Sequence, residues 1–228
     1  MVPVNAAHRN SHDTRLLDAL GAGDSSARLQ AALAVGTHAD AGLLDALVAR
    51  CAIEPDFFVR DMLTWALTCL PAEITVPRLR AELCSERAQA RSQALHTLSK
   101  IGDGSAWPAI TRSLLRDADD EVTRSAWRAA VVLVPAGEQE GLATELAAQF
   151  GRGDRSVQLS LSRALVALGG VIEPALQAGL ASDDPAVRAH ARATERLLRD
   201  PDAGFDQALD EAKRVVALGP ERVEGTAC

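Results

Sequence analysis

The sequence predicts an all-α solenoid of about six two-helix repeats with a capping helix at its C-terminal end. Three observations predict it. One motif position recurs six times at a spacing of 30 to 34 residues, as Arg28, Arg60, Arg91, Arg124, Gln158 and Arg188. A small or β-branched residue precedes each one: Ala27, Val59, Ala90, Thr123, Val157 and Val187. Self-similarity at this period marks stacked supersecondary units, none of which buries its apolar face alone. Lastly, apolar residues make up 47% of the 228 positions but aromatics only 3%. A core of Ala, Leu and Val suits closely packed helices.

Each repeat divides into a first and a second helix. The repeats are expected over 14–38, 41–70, 73–101, 104–134, 137–168 and 171–199. Asp24, Asp56, Asp120, Asp154 and Asp184 stand four residues before the repeated position. That placement suits an N-cap, where a carboxylate accepts from free backbone N–H groups and meets the positive end of the dipole. Pro77, Pro108 and Pro174 are expected to open three first helices, because proline lacks an N–H that would be unpaired there. Gly36, Gly102 and Gly169 are expected to end second helices in a left-handed conformation.

A last helix at about 202–218 carries Phe205, Leu209, Ala212 and Val216 on one face and reads as the terminal cap. Residues 1–12 read as a disordered leader, 13–218 as a single domain and 219–228 as a disordered tail.

Net charge is −7 and the pI is near 5.3. Phosphate contact dominates nucleic-acid affinity, so this balance argues against a nucleic-acid binder. The first 12 residues lack an apolar signal core, and no apolar run reaches membrane-spanning length. A cytoplasmic monomer is expected, without membrane contact. Arg outnumbers Lys 22 to 2, a bias that points to a GC-rich bacterial genome. Cys51 and Cys84 fall at near-equivalent repeat positions; packed helices lie roughly 8–10 Å apart, too far for a disulfide. No Cys/His spacing suits a metal and no nucleophile motif appears, so neither a cofactor nor a metal is expected.

The run from Pro174 to Leu198, with Asp183, Asp184, Val187 and Arg188 in register, resembles HEAT repeats. The resemblance spans about 14–199. It implies that Asp and Arg pair along the stack as a structural ladder: Asp24 with Arg28, Asp56 with Arg60, Asp120 with Arg124, and Asp184 with Arg188. Arg91 belongs to the same series, but Arg87 stands where its Asp is expected, and repeat five has Gln158 in place of Arg.

Taking the repeated position as zero, positions −1, +3, +7 and +10 share one helix face at 100° per residue. In repeat two these are Val59, Leu63, Leu67 and Leu70; in repeat four, Thr123, Trp127, Val131 and Val134. That is the expected core. The opposite face, +1, +5 and +8, is expected to line the concave side, where solenoids bind partners. There Asp61, Trp65 and His96 form one group, and Ala129, Val132, Leu159 and Val166 form an apolar strip edged by Arg128 and Arg163.

The expected function is therefore a non-enzymatic scaffold that holds a peptide, helix or protein domain in this groove. Two alternatives come with the resemblance. Some HEAT-like solenoids are DNA glycosylases with a groove Asp beside Trp and basic residues, which Asp61, Trp65 and Arg163 imitate. Others hold a small molecule or chromophore, as bilin lyases do.

Overall fold

The computed structural model describes residues 13–200 together with 210, 213, 214 and 216. Over these residues the chain is all-α, without a strand, and its helices pair and stack in solenoid fashion. It divides into two compact units, Met1–Ile110 and Thr111–Cys228. The leader 1–12 and the tail 219–228 lie outside the described residues. So does most of the expected capping helix, of which Asp210, Lys213, Arg214 and Val216 are described, all helical.

The first unit holds three helix pairs: α1 (13–20) with α2 (Ser25–His38), α3 (Leu44–Cys51) with α4 (Phe57–Thr68), and α5 (Ala72–Glu82) with α6 (Ala88–Ile101). The second helices lie side by side, α2 against α4 and α4 against α6. The second unit repeats the plan. Its pairs are α7 (Arg112–Leu115) with α8 (Asp120–Leu133), α9 (Gln139–Ala147) with α10 (Arg155–Ala167), and α11 (Glu173–Leu180) with α12 (Pro185–Arg199). Here α8 packs on α10 and α10 on α12.

The caps follow local chemistry. Asp24 accepts from the Ala27 N–H at 2.8 Å, Asp56 from Val59 at 3.1 Å, and Asp184 from Ala186 at 2.7 Å. Asp154 takes both Ser156 and Val157. Helix α8 departs from the expectation. Asp119 is its cap, accepting from Glu121 and Val122, and Asp120 becomes the first helical residue. With two adjacent aspartates, the one in extended backbone (φ −85°, ψ 122°) reaches the free N–H groups.

Two proline expectations are corrected. Pro77 lies inside α5, which begins at Ala72 after an N-cap at Pro71. Pro108 sits in a 3₁₀ turn, Gly104–Ala109, and α7 starts later on a Thr111 cap. Pro174 does open α11. Gly102 and Gly169 take left-handed φ values of 71° and 72°. Gly36 does not: it lies within α2, whose left-handed cap is Ala39 at φ 50°.

Most of the expected core positions are buried, and Val131 is the exception: it is half-buried beside the exposed Val132. Val59, Leu63, Leu67 and Leu70 are buried, and Trp127 is fully buried with its indole N–H donating to the Leu115 carbonyl at 3.0 Å. No single helix among the described residues is long and apolar enough to cross a membrane.

Candidate interaction surfaces

The repeated arginine closes the turn in front of its own helix. Arg28 donates to the carbonyls of Ala22 (3.0 Å) and Gly23 (2.9 Å), Arg60 to Glu54 (2.9 Å) and Pro55 (2.7 Å), and Arg91 to Ser85 (2.8 Å) and Glu86 (3.1 Å). Arg188 reaches Ser182 at 2.6 Å. A helix end leaves its last carbonyls without intrahelical partners, and a guanidinium satisfies two at once. The partners of the expected ladder do not bond to each other: in repeats one, two and six the aspartate caps its own helix and the arginine closes the preceding turn. In repeat five the shorter Gln158 amide reaches Gly153 at 3.2 Å and Gly151 at 3.5 Å. Arg124 is turned away, toward the Ser160 hydroxyl (3.0 Å) and Glu121 (2.8 Å). In this turn the Thr123 hydroxyl donates to the Asp119 and Asp117 carbonyls, and Arg152 also reaches the Asp117 carbonyl.

A buried acid holds the first unit together. Glu54 is fully buried and accepts from Arg28, Arg50 and the Asp56 N–H. Burial pushes its carboxyl up, but Arg28, the Asp56 amide and Arg50 outweigh that and hold it at about 2. Its neighbour Cys51 is pushed up to about 12, first by burial and then by the Glu54 charge, so this thiol stays protonated and inert.

On the surface of the first unit, Asp61 and Trp65 stand exposed on α4, and His96 is half-buried on α6. The Trp65 ring leans on α2: a Cβ built on Gly36 would lie 2.4 Å from its Cζ3 and 2.8 Å from its Cε3. Two residues that the repeat pattern did not single out join it. Phe57 and Phe58, 66% and 71% exposed, open α4 with their rings edge to face, 5.6 Å apart. The Arg60 guanidinium lies 5.9 Å over the Phe57 ring. Their signal was present in the sequence: at −3 and −2 they fall off the core face.

In the second unit the expected strip comes apart. Ala129 is fully buried and lines no groove. Leu159 and Val166 are half-buried and pack against Ala193 and Leu197 of α12. The cause is common to both: neighbouring second helices approach through these positions. What stays open is a pocket of about 300 Å³ between α8 and α10. Helix α8 lines it with Arg124, Arg128, Val131 and Val132, and α10 with Ser160, Arg163, Ala164 and Ala167.

Behind this pocket, α10 and α12 share a buried polar chain. The Gly151 N–H donates to His190 Nδ1 at 3.0 Å, which places the imidazole proton on Nε2. Nε2 then donates to the Gln158 carbonyl at 2.9 Å, with Ser162 Oγ at 3.0 Å. The Thr194 hydroxyl donates to the His190 carbonyl, so the Ser162 hydroxyl donates to Thr194 Oγ1 at 2.7 Å. Burial lowers His190 to about 4, against a smaller upward pull from Gln158, so the ring is neutral at pH 7. Among the described residues no group of three or more His, Cys, Asp or Glu side chains is arranged to hold a metal.

These features define a helical-repeat protein with exposed faces on its second helices. Two solved structures are among those similar to the chain. One is an engineered protein from the Northeast Structural Genomics Consortium, 23% identical, with 87% of this chain and 96% of that chain covered and a TM-score of 0.46. Another is the complex of CpcE and CpcF of phycocyanin lyase from Nostoc sp. PCC7120, 22% identical, with 86% and 85% covered and a TM-score of 0.46. No family model and no curated protein matches the chain.

Proposed function

We propose that the protein is a non-enzymatic interaction module of HEAT-repeat type, working in the cytoplasm. It holds a protein or peptide segment against its second helices. The observation that carries this reading is the exposed aromatic face of α4. The chain has seven aromatic residues, four Phe and three Trp, and three of them stand on this one face. Rigid aromatic side chains left in water are the side chains that anchor interfaces. A further observation agrees with it. The groups with strongly shifted titration, Glu54, Cys51 and His190, are buried, and Glu54 and His190 are bound into turns. Catalytic groups with such shifts face a cleft instead.

The test is crosslinking capture in the native host with wild-type protein and with Phe58→Ala and Trp65→Ala variants. A specific protein should be captured by the wild type and lost from both variants, while their circular dichroism melts remain those of folded helical proteins. Equal capture by all three would refute the α4 face as the anchor. The glycosylase reading draws no support from a chain of net charge −7. The small-molecule reading draws on the α8–α10 pocket, whose volume lies at the low end for such sites.

A further inference from the structure

We infer that the α4 face selects a basic segment: it docks a partner peptide whose Arg or Lys side chain lies on Asp61 while its apolar side chains rest on Phe58 and Trp65. The inference rests on the reading of the protein as an interaction module, and names the chemistry of the segment that the aromatic face holds. Helix spacing carries it. Phe58 and Trp65 are seven residues apart on α4, which is two turns, about 10 Å along one face. Asp61 stands between them, three residues after Phe58 and four before Trp65, so it neighbours both side chains. All three are exposed.

The Asp61 carboxylate makes no hydrogen bond or ion pair with any described residue. On the flanking helices α2 and α6, positions +1, +5 and +8 hold no Lys, Arg, Asp or Glu. The adjacent Arg60 is engaged elsewhere, donating to the Glu54 and Pro55 carbonyls and lying over the Phe57 ring. A segment anchored on both Phe58 and Trp65 therefore has to cover Asp61. Covering an unpaired carboxylate with apolar or acidic groups strips its water and returns nothing. A guanidinium or ammonium group in that place keeps the charge paired, and the flanking aromatic rings attract it as well. The face thus admits a cation and rejects neutral and acidic segments. It is also set before a partner arrives. The turn that opens α4 is held by Arg28 and Arg50 on the Glu54 carboxylate, and by Gln89, which donates to the Cys51 and Glu54 carbonyls at 2.9 and 2.8 Å. Trp65 leans on Gly36. Side chains seated in this way lose little freedom on binding.

The test uses the full chain and three fluorescein-labelled decapeptides of Ser and Leu that differ only in a central Arg, Gln or Glu, read by fluorescence anisotropy. The Arg peptide should bind saturably and about fivefold or more tighter than the Gln peptide, with the Glu peptide weakest. Asp61→Asn should remove that preference. Asp61→Arg should transfer it to the Glu peptide, which also shows that the variant is folded. Glu173→Gln, at an exposed position of α11, removes one negative charge just as Asp61→Asn does, and should bind like the wild type. The Phe58→Ala/Trp65→Ala double variant should lose all three peptides. Equal binding of the Arg and Gln peptides, or equal weakening by Asp61→Asn and Glu173→Gln, overturns the proposal. So does displacement of the Arg peptide by equimolar free arginine, which assigns Asp61 to a small cation. A dimer in sedimentation that Phe58→Ala dissolves overturns it too, giving the face to a second copy. No preference for Arg, with partner capture still dependent on Phe58 and Trp65, refutes the basic segment alone. A preference for Arg through Asp61, with capture unchanged in both alanine variants, supports the basic segment and refutes α4 as the anchor of the captured partner.

Discussion

Arg28 and Glu54 form a two-bonded ion pair, Nε to Oε2 at 2.8 Å and Nη2 to Oε1 at 2.7 Å, that joins one helix pair of the first unit to the next. Both side chains are almost wholly removed from water, at 6% and 0% exposure. Arg28 also closes its own turn, so one guanidinium holds the turn of repeat one and the acid of repeat two together. Glu54→Ala leaves Arg28 buried with only neutral carbonyl partners. A loss of about 3–5 kcal/mol is expected, read from urea denaturation. A loss below about 1 kcal/mol would show that the pair is solvated in solution.

Gly36 is the seat of Trp65. Gly36→Ala brings a methyl group to 2.4 Å from the indole and 2.9 Å from the Ala66 Cα. Overpacking of this kind costs about 1–3 kcal/mol. Tryptophan emission should shift to the red as the ring is driven outward. Adding Trp65→Ala should restore part of the stability, since the backbone contact with Ala66 persists. Full additivity of the two losses would deny that the residues touch.

Acid should destabilise the chain in two windows. His190 is lowered to about 4 from an ordinary 6.5, so the unfolded chain takes up its proton first. The stability it contributes is complete above 6.5, falls as pH drops toward 4, and amounts to about 3 kcal/mol. Glu54, held at about 2 against an ordinary 4.5, contributes above 4.5 and loses its share as pH falls toward 2. Melting curves at half-unit steps from pH 7.5 to 4 measure the first window. His190→Gln should flatten it, and an unchanged slope in that variant would place the titration elsewhere.

Gln158 does the arginine's task weakly. Its amide makes the long turn bonds described above, and its Oε1 is buried without a partner among the described residues. Gln158→Arg removes that orphaned acceptor and adds donors to the turn. A gain of about 1 kcal/mol is expected, with slower amide exchange at Gly151 to Gly153. Faster exchange there would show that the longer side chain does not fit the turn.

Much of the second-helix surface was legible, and one rule explains where it was not. Position +5 holds Leu33, Trp65, His96, Ala129, Arg163 and Ala193 in turn. The two alanines are fully buried, whereas Leu33, Trp65 and Arg163 are exposed. At +1, Ser92, Ser125 and Ala189 are buried, and Asp61 is exposed. Small residues let adjacent second helices close over these positions, and large ones hold them at the surface. A helix wheel shows direction and cannot show whether a neighbouring helix covers it. Ala129 therefore looked like groove, and Leu159 and Val166 looked free of α12.

The sequence by itself determined the period, the all-α class, the core face and most of the caps. Each depends on residues within one or two turns of each other, where helix geometry is set by 3.6 residues per turn. Only the tertiary structure decided that Glu54 is the acid Arg28 meets, that Gly36 makes room for Trp65, that His190 ties α12 to Gly151, and that Arg163 and Val132 face one pocket. Those are relations between residues about 26 to 39 positions apart. They arise from how closely neighbouring helices approach, which side-chain volumes on both helices set together.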